Sequence, residues 1–360
     1  LTDVHPTQKQ LILGEIMVQG SKTQKIILDK QGSYLGMEKG AFIVKDRQGN
    51  IKKYPLFDQE LGEVTLKSGN CVSTGALASL GFWGIDVLIM TQKGRPVAWL
   101  KALDDDSHVS TRLAQYEAVK DERGLEIAKK LVLGKIQGQN QVLKKYELKQ
   151  LDFAMFERIR NLKIESLEQL SKRLSTYEGH CSRIYFKQIF SLFSENVRPE
   201  NRKTFKAYDA INNLFNLGYE LLSWKVHKAL VNAKLEPYLG FLHSEQFSKP
   251  SLTCDFMEIY RFTIDNFLIQ YYKDLKAKDF VMKYDLLSKH KIGKREYLND
   301  FDTKGLMSGL NSYFELMIEI PRMKVGKRQT FETLISEEAL LFAKYLRNER
   351  RDWNPRIPQI

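Results

Sequence analysis

The chain has 360 residues, 43% of them hydrophobic and 28% charged, which excludes a disordered or fibrous protein and leaves room for two domains. The formal net charge is +12 and unevenly spread: residues 1–106 hold 13 Lys and Arg against 12 Asp and Glu, and the remainder hold 43 against 32. A basic second part points to a polyanionic partner, nucleic acid ahead of a membrane. No stretch approaches the ~20 apolar residues of a membrane span.

Residues 1–24 carry no pattern. Their short apolar run, Leu11–Leu13, meets Gly14 and Glu15 too soon for a secretory signal, so a cytoplasmic protein with no membrane partner is expected. From Lys25 onward, short runs predict strands: KIILDK, YLGMEK, AFIVKD, IKKYPL and GEVTLK, separated by Gly- and Asn-containing turns. VSTGALASLGFWG predicts one short helix. IDVLIMT predicts a buried strand, and QKGRP a hairpin turn before VAWLKAL. The glycines at 69, 75 and 81 fit no phosphate-binding loop. A β-rich domain over 25–103 is therefore expected, with a linker at 104–110. Within it, Asp104–Asp106 precede a helix, where acidic residues favour the positive end of the helix dipole.

Beyond Ser107 the texture becomes helical. Leu113, Tyr116, Ala118, Leu125, Ile127, Ala128, Leu131 and Val132 recur at helical spacing. Further helices are expected around 138–160, 165–176, 178–194, 204–233, 255–275, 305–320 and 330–349. The fold class is α+β: a small N-terminal β domain, then an all-α domain over 111–360. The cysteines Cys71, Cys181 and Cys254 form no Cys-x-x-Cys pair, so neither a disulfide framework nor a zinc knuckle is supported.

Chemistry concentrates in Leu239–Arg261, LGFLHSEQFSKPSLTCDFMEIYR. A lone His243 precedes a turn at Ser248–Ser251; Asp255 and Glu258 follow, three apart on one helical face. Phe256, Met257, Ile259 and Tyr260 leave that helix little polar surface. Two buried carboxylates cost several kcal/mol without compensation, so a cation is wanted. Arg261, one turn after Glu258, is one candidate, and a metal shared with His243 is the other. Upstream, Tyr177–Phe186 opens an apolar helix with Glu178 near its start, and Arg183 and Lys187, four apart, can face one anion. The Asn-rich run around 211–216 needs hydrogen-bond partners for its amides.

In order and spacing, EGHCSRIYF, NLGYELL, LEPYLGFLH and PSLTCDFMEIYR resemble the CRISPR adaptation integrase family, Cas one. The resemblance extends to GNCVSTGALASLGFWGIDVLIMTQKGRPVAWL, TRLAQYEA, LVLGKIQGQNQVL and TLISEEALLFAKYLRNER, and covers about residues 25–352. It departs at Cys181, where a small Ala is usual, at Phe186, where Trp is common, and at Ser248-Lys249, which replaces Gly-Arg. The resemblance implies an N-terminal dimerisation domain and a C-terminal catalytic domain with one divalent metal. The implied ligands, also the catalytic residues, are Glu178, His243 and Glu258, with Asp255 supporting.

Two carboxylates and an imidazole suit Mg²⁺ or Mn²⁺. The implied reaction is metal-dependent DNA cleavage and integration, in which the 3′-hydroxyl of a spacer precursor duplex attacks a phosphate of a repeat array. Arg183, Lys187, Lys249 and Arg261 are candidate phosphate contacts. Arg322, Lys324, Lys327 and Arg328 would grip the backbone, the plain alternative for that run being a solvated loop. The implied partners are DNA, a second copy in a homodimer, and the small protein Cas two. Rival readings are a non-catalytic DNA-binding scaffold on the same fold and a transposon-type integrase, which tends to carry an added C-terminal module.

Overall fold

The computed structural model describes residues 24–55, 61–92, 94–102, 109–204, 207–243, 249–288, 291–319 and 328–360. The chain divides into two compact units at Ser107/His108. Residues 1–23 of the expected N-terminal extension, 104–108 of the expected linker, and Arg322, Lys324 and Lys327 lie outside the described residues.

In the first unit, strands β1 (Gln24–Leu28), β5 (Leu61–Lys67), β7 (Asp86–Met90) and β8 (Pro96–Leu100) form one sheet in the order β1-β5-β7-β8. The first three are parallel, and β8 returns antiparallel through a hairpin in which Gly94 has φ +84°. A second sheet has the order β4-β3-β2-β6, from β2 (Tyr34–Glu38), β3 (Ala41–Lys45), β4 (Ile51–Pro55) and β6 (Cys71–Val72). Asn70 ties the two: its amide donates to Leu28 O at 2.8 Å and its oxygen accepts from Ser33 N at 3.0 Å. Helix α1 (Thr74–Phe82) is capped by the Ser73 hydroxyl, and buries Ala76 and Leu80. Ile26, Leu35, Phe42, Val64 and Val87, from both sheets, complete the core with it.

The second unit is built on α2 (Val109–Ala118), α3 (Glu122–Lys145), α4 (Phe153–Arg160), α5 (Leu167–Phe190), α6 (Ala210–Asn232), α7 (Ser251–Glu258), α8 (Arg261–Tyr272), α9 (Asp300–Glu315) and α10 (Phe331–Leu346). Asp121, Asp152, Ser166, Asp209, Asn299 and Thr330 cap helix starts with side-chain oxygens, each removing one orphan backbone donor. Helix α8 is the central post: Phe262, Ile264, Phe267, Leu268 and Ile269 are all 1% exposed or less. Gly138 lets α3 approach it, since a Cβ there would lie 2.2 Å from Phe262 Cδ1.

Four expectations are corrected. Residues 138–160 are not one helix: α3 ends at Lys145, Glu147 takes φ +56°, and Asp152 starts α4. Conversely, 165–176 and 178–194 belong to one continuous α5, because Gly179 sits in a helix without breaking it. Residues 255–275 are two helices parted at Ile259–Tyr260. The second unit is also not all-α. β9 (Phe280–Ser288) pairs antiparallel with β10 (Lys291–Leu298), and β11 (Met317–Glu319) pairs with β12 (Arg328–Thr330), the strand that holds Arg328. In β9, Met282, Lys283, Tyr284, Asp285 and Leu286 alternate between apolar and charged, a period of two, but β10 sets Lys294, Arg295 and Glu296 side by side, so the hairpin is hidden among long helices.

Candidate metal centre

Helix α3 presents Ile127, Ala128, Leu131, Val132 and Ile136 to the core, and on the same buried face stand Lys135 and Gln139, one turn apart. A buried ammonium costs several kcal/mol unless carboxylates surround it, and here two do. The Lys135 ammonium, 8% exposed, donates to Glu178 Oε1 and lies 2.6 Å from Glu258 Oε2. Glu178 therefore sits in the middle of α5, not at a helix end as expected. The Ser182 hydroxyl, one turn on, donates to its Oε1 at 2.8 Å. Glu258 is the last residue of α7 and Arg261 the first of α8, and Arg261 Nη1 lies 3.1 Å from Glu258 Oε1.

Two carboxylates, one ammonium and one guanidinium thus balance in charge. Burial alone would raise the Glu258 carboxyl, but Arg261, Lys135 and His243 outweigh it and hold it at about 2. Glu258 is ionised at any physiological pH. Burial pushes the Cys181 thiol up to about 11, and Glu178 adds to the rise, so it stays protonated and a poor metal ligand.

Asp255 is fully buried, and both its oxygens are committed. Oδ2 accepts from the backbone N–H of Phe241 at 2.6 Å and of Leu242 at 2.9 Å; Oδ1 accepts from the N–H of His243 at 3.0 Å. His243 Nδ1 lies 2.6 Å from the same Oδ1. A carboxylate in this role only accepts, so Nδ1 carries the proton that it accepts and Nε2 is left with a lone pair that can bind a metal. The turn can wrap so closely because residue 240 is Gly: a Cβ there would meet Asp255 Oδ2 at 2.7 Å.

A cavity of about 400 Å³ opens beside Glu178, lined also by Lys135, Arg183, Lys187, Glu200, Arg202 and Arg261. Arg183, Lys187 and Arg261 are thus brought to one place, as the spacing of the first two allowed. Lys249 does not line it and stands just ahead of α7, beside Cys254. Arg202 is a further cation at this cavity that spacing alone did not single out. It donates to Asn212 Oδ1 at 3.0 Å and Asn216 Oδ1 at 2.7 Å, and covers the rings of Phe186, Phe215 and Tyr219 at 5.3–5.9 Å. The Asn-rich run was its signal, since those amides required partners. Lys135 is another such residue, and its signal was a Lys within an apolar helical stripe. Deeper in, Tyr185 and Tyr219 donate to the buried Asp265, whose carboxyl burial raises to about 6.

Behind the carboxylates a cavity of about 10 Å³ is lined by Lys135, Gln139, Glu258, Arg261 and Asp265. Gln139 Oε1 and Arg261 Nε are buried there without a hydrogen-bond partner among the described residues. In this arrangement, among the described residues, no three His, Cys, Asp or Glu groups stand close enough together to hold a metal.

The family model for CRISPR associated protein Cas1 matches residues 26–303. A protein of Korarchaeum cryptofilum (strain OPF8) named CRISPR-associated endonuclease Cas1 is 28% identical over 274 residues, which cover 71% of this chain and 80% of that protein. Among solved structures, a casposase bound to integration product superposes with a TM-score of 0.72 at 19% identity, over 94% of both chains. A chain of a Cas6-RT-Cas1–Cas2 complex gives a TM-score of 0.65 at 20% identity, over 93% of this chain and 36% of that one. These structural likenesses speak for the fold. The family model, spanning well over half the sequence, settles membership: the chain belongs to the CRISPR associated protein Cas1 family.

Proposed function

We propose that this chain is a divalent-metal-dependent DNA endonuclease and integrase of CRISPR adaptation, joining the 3′-hydroxyl of a short duplex to a phosphate of a repeat array. The observation that carries it is the convergence of Glu178 and Glu258, on different helices, upon a single cation. The residues fit a metal. A cation already stands between the carboxylates, Gln139 Oε1 on the small cavity beside Glu258 is buried without a hydrogen bond among the described residues, and His243 keeps Nε2 available. Glu178, His243 and Glu258 would hold Mg²⁺ or Mn²⁺, hard ions suited to oxygen with some imidazole. When bound, such an ion supplies charge to lower the pKa of an attacking hydroxyl and to polarise a phosphoryl oxygen.

The protein's own part is to position and to neutralise. Asp255 fixes the imidazole tautomer, Ser182 orients Glu178, and Arg261 holds Glu258. Arg183, Lys187 and Arg202 would meet DNA phosphates in the large cavity, and Lys249 and the basic run Arg322, Lys324, Lys327 and Arg328 would grip the backbone. A homodimer through the first unit accords with its exposed Phe82, Ile27 and Val97. Assembly with Cas two accords with the likeness of this chain to 36% of one chain of a Cas6-RT-Cas1–Cas2 complex.

Strand joining with Mn²⁺ is the test. Glu178→Ala and His243→Ala are expected to lose it by more than about a hundred-fold while keeping the wild-type circular dichroism. Joining that persists in both variants overturns the assignment. Wild-type protein inactive with every divalent ion would favour a DNA-binding scaffold.

A further inference from the structure

Building on the metal-dependent reading, we propose that the Lys135 ammonium is a placeholder cation. It holds Glu178 and Glu258 together in the metal-free protein and withdraws into the adjacent cavity when a divalent ion enters.

The geometry is that of one cation shared by two carboxylates from different helices. Lys135 comes from a third helix, α3, which Gly138 brings close to α8. Charge balance limits how many cations the cluster can hold. Lys135 and Arg261 already neutralise Glu178 and Glu258, so a divalent ion added to the intact cluster would leave two uncompensated positive charges in a buried site. One cation has to leave. Lys135 stands between the two carboxylates, whereas Arg261 touches only Glu258 and is seated over the Tyr219 ring at 4.9 Å. Lys135 also has the flexible four-carbon stem and the compact charge that swing most readily. Its exit is at hand, because Lys135 itself lines the cavity of about 400 Å³, where Glu200 offers a substitute carboxylate. The device keeps two acidic ligands from repelling each other before the ion arrives, at the cost of competition with that ion.

The test is Mn²⁺ affinity by titration calorimetry in the full chain, without DNA, for wild type, Lys135→Met and Lys135→Gln. Removing the competitor is expected to tighten Mn²⁺ binding by about ten-fold, within the usual range of coupling between two linked ligands, while lowering the unfolding midpoint of the metal-free protein. Unchanged or weaker binding in the folded variants overturns the proposal. Should neither variant fold, reductive methylation of wild type read by mass spectrometry decides. Labelling of Lys135 is expected to rise several-fold on adding Mn²⁺, and unchanged labelling rejects the withdrawal. Wild type that does not bind Mn²⁺, or His243→Ala that binds it as tightly as wild type, removes the metal-dependent reading itself. Normal, His243-dependent binding with no Lys135 effect removes this inference alone.

Discussion

His243 Nδ1 lies 2.6 Å from Asp255 Oδ1, and the same carboxylate collects the backbone N–H groups of Phe241, Leu242 and His243. Asp255 therefore serves fold and chemistry together. Asp255→Ala is expected to cost about 3–5 kcal/mol in urea unfolding, because buried donors lose their acceptor. Asp255→Asn, which keeps an oxygen, is expected to fold and to bind Mn²⁺ about 10- to 100-fold more weakly, the usual effect of losing a group that orients a ligand. Calorimetric titration measures it, and Mn²⁺ affinity equal to wild type in Asp255→Asn would contradict the orienting role.

The Glu258 carboxyl is held at about 2, below its ordinary 4.5. A depressed folded-state value adds stability above the unfolded value, and that stability is lost as pH falls through the folded one. The metal-free protein should lose on the order of 3 kcal/mol from this group between about pH 4.5 and pH 2. Glu258→Gln should be less stable than wild type at pH 7, with the gap closing toward pH 2. Thermal unfolding across that range reads it, and a gap independent of pH rejects the linkage.

Asp265 has the opposite sign. Burial raises its carboxyl to about 6 from 3.8, against the pull of the Tyr219 and Tyr185 hydroxyls. The folded state then holds the proton more tightly than the unfolded one, so stability falls as pH rises from about 3.8 through 6. Asp265→Asn should remove that slope, worth on the order of 3 kcal/mol. Unfolding curves at pH 4 and pH 7 for both proteins give the comparison.

Arg183 and Lys187 are exposed on α5 and line the same cavity. If each meets a phosphate of duplex DNA, replacing either with Ala should reduce the slope of log affinity against log salt by about 0.9. Fluorescence anisotropy over a salt series measures it. An unchanged slope for both would place DNA elsewhere.

Much of the site is legible in the sequence, because short-range spacing carries it. The run from His243 to Arg261 holds His243, Asp255, Glu258 and Arg261, and the need for a cation follows from burial of the two carboxylates. For Lys135 the apolar stripe of α3 signals only that its ammonium needs a partner; that the partners are Glu178 and Glu258 follows from the packing of α3, which no local pattern encodes. The continuity of α5 is obscured by Gly179, and the end of α7 by the want of any Gly or Pro between Glu258 and Arg261. That break is set by tertiary burial of Ile259 and Tyr260, both fully enclosed.

The same break leaves each member of the Glu258–Arg261 pair at the wrong pole. Glu258 ends α7, where the helix dipole is negative, and Arg261 begins α8, where it is positive. Each is disfavoured there by about 0.3–1 kcal/mol. Neither helix alone would choose the residue it carries, and only the partner across the gap makes the choice tolerable. This is local frustration, a conflict between secondary-structure preference and tertiary contact that chains otherwise avoid. Its presence at this junction marks residues retained for what they do with their neighbours.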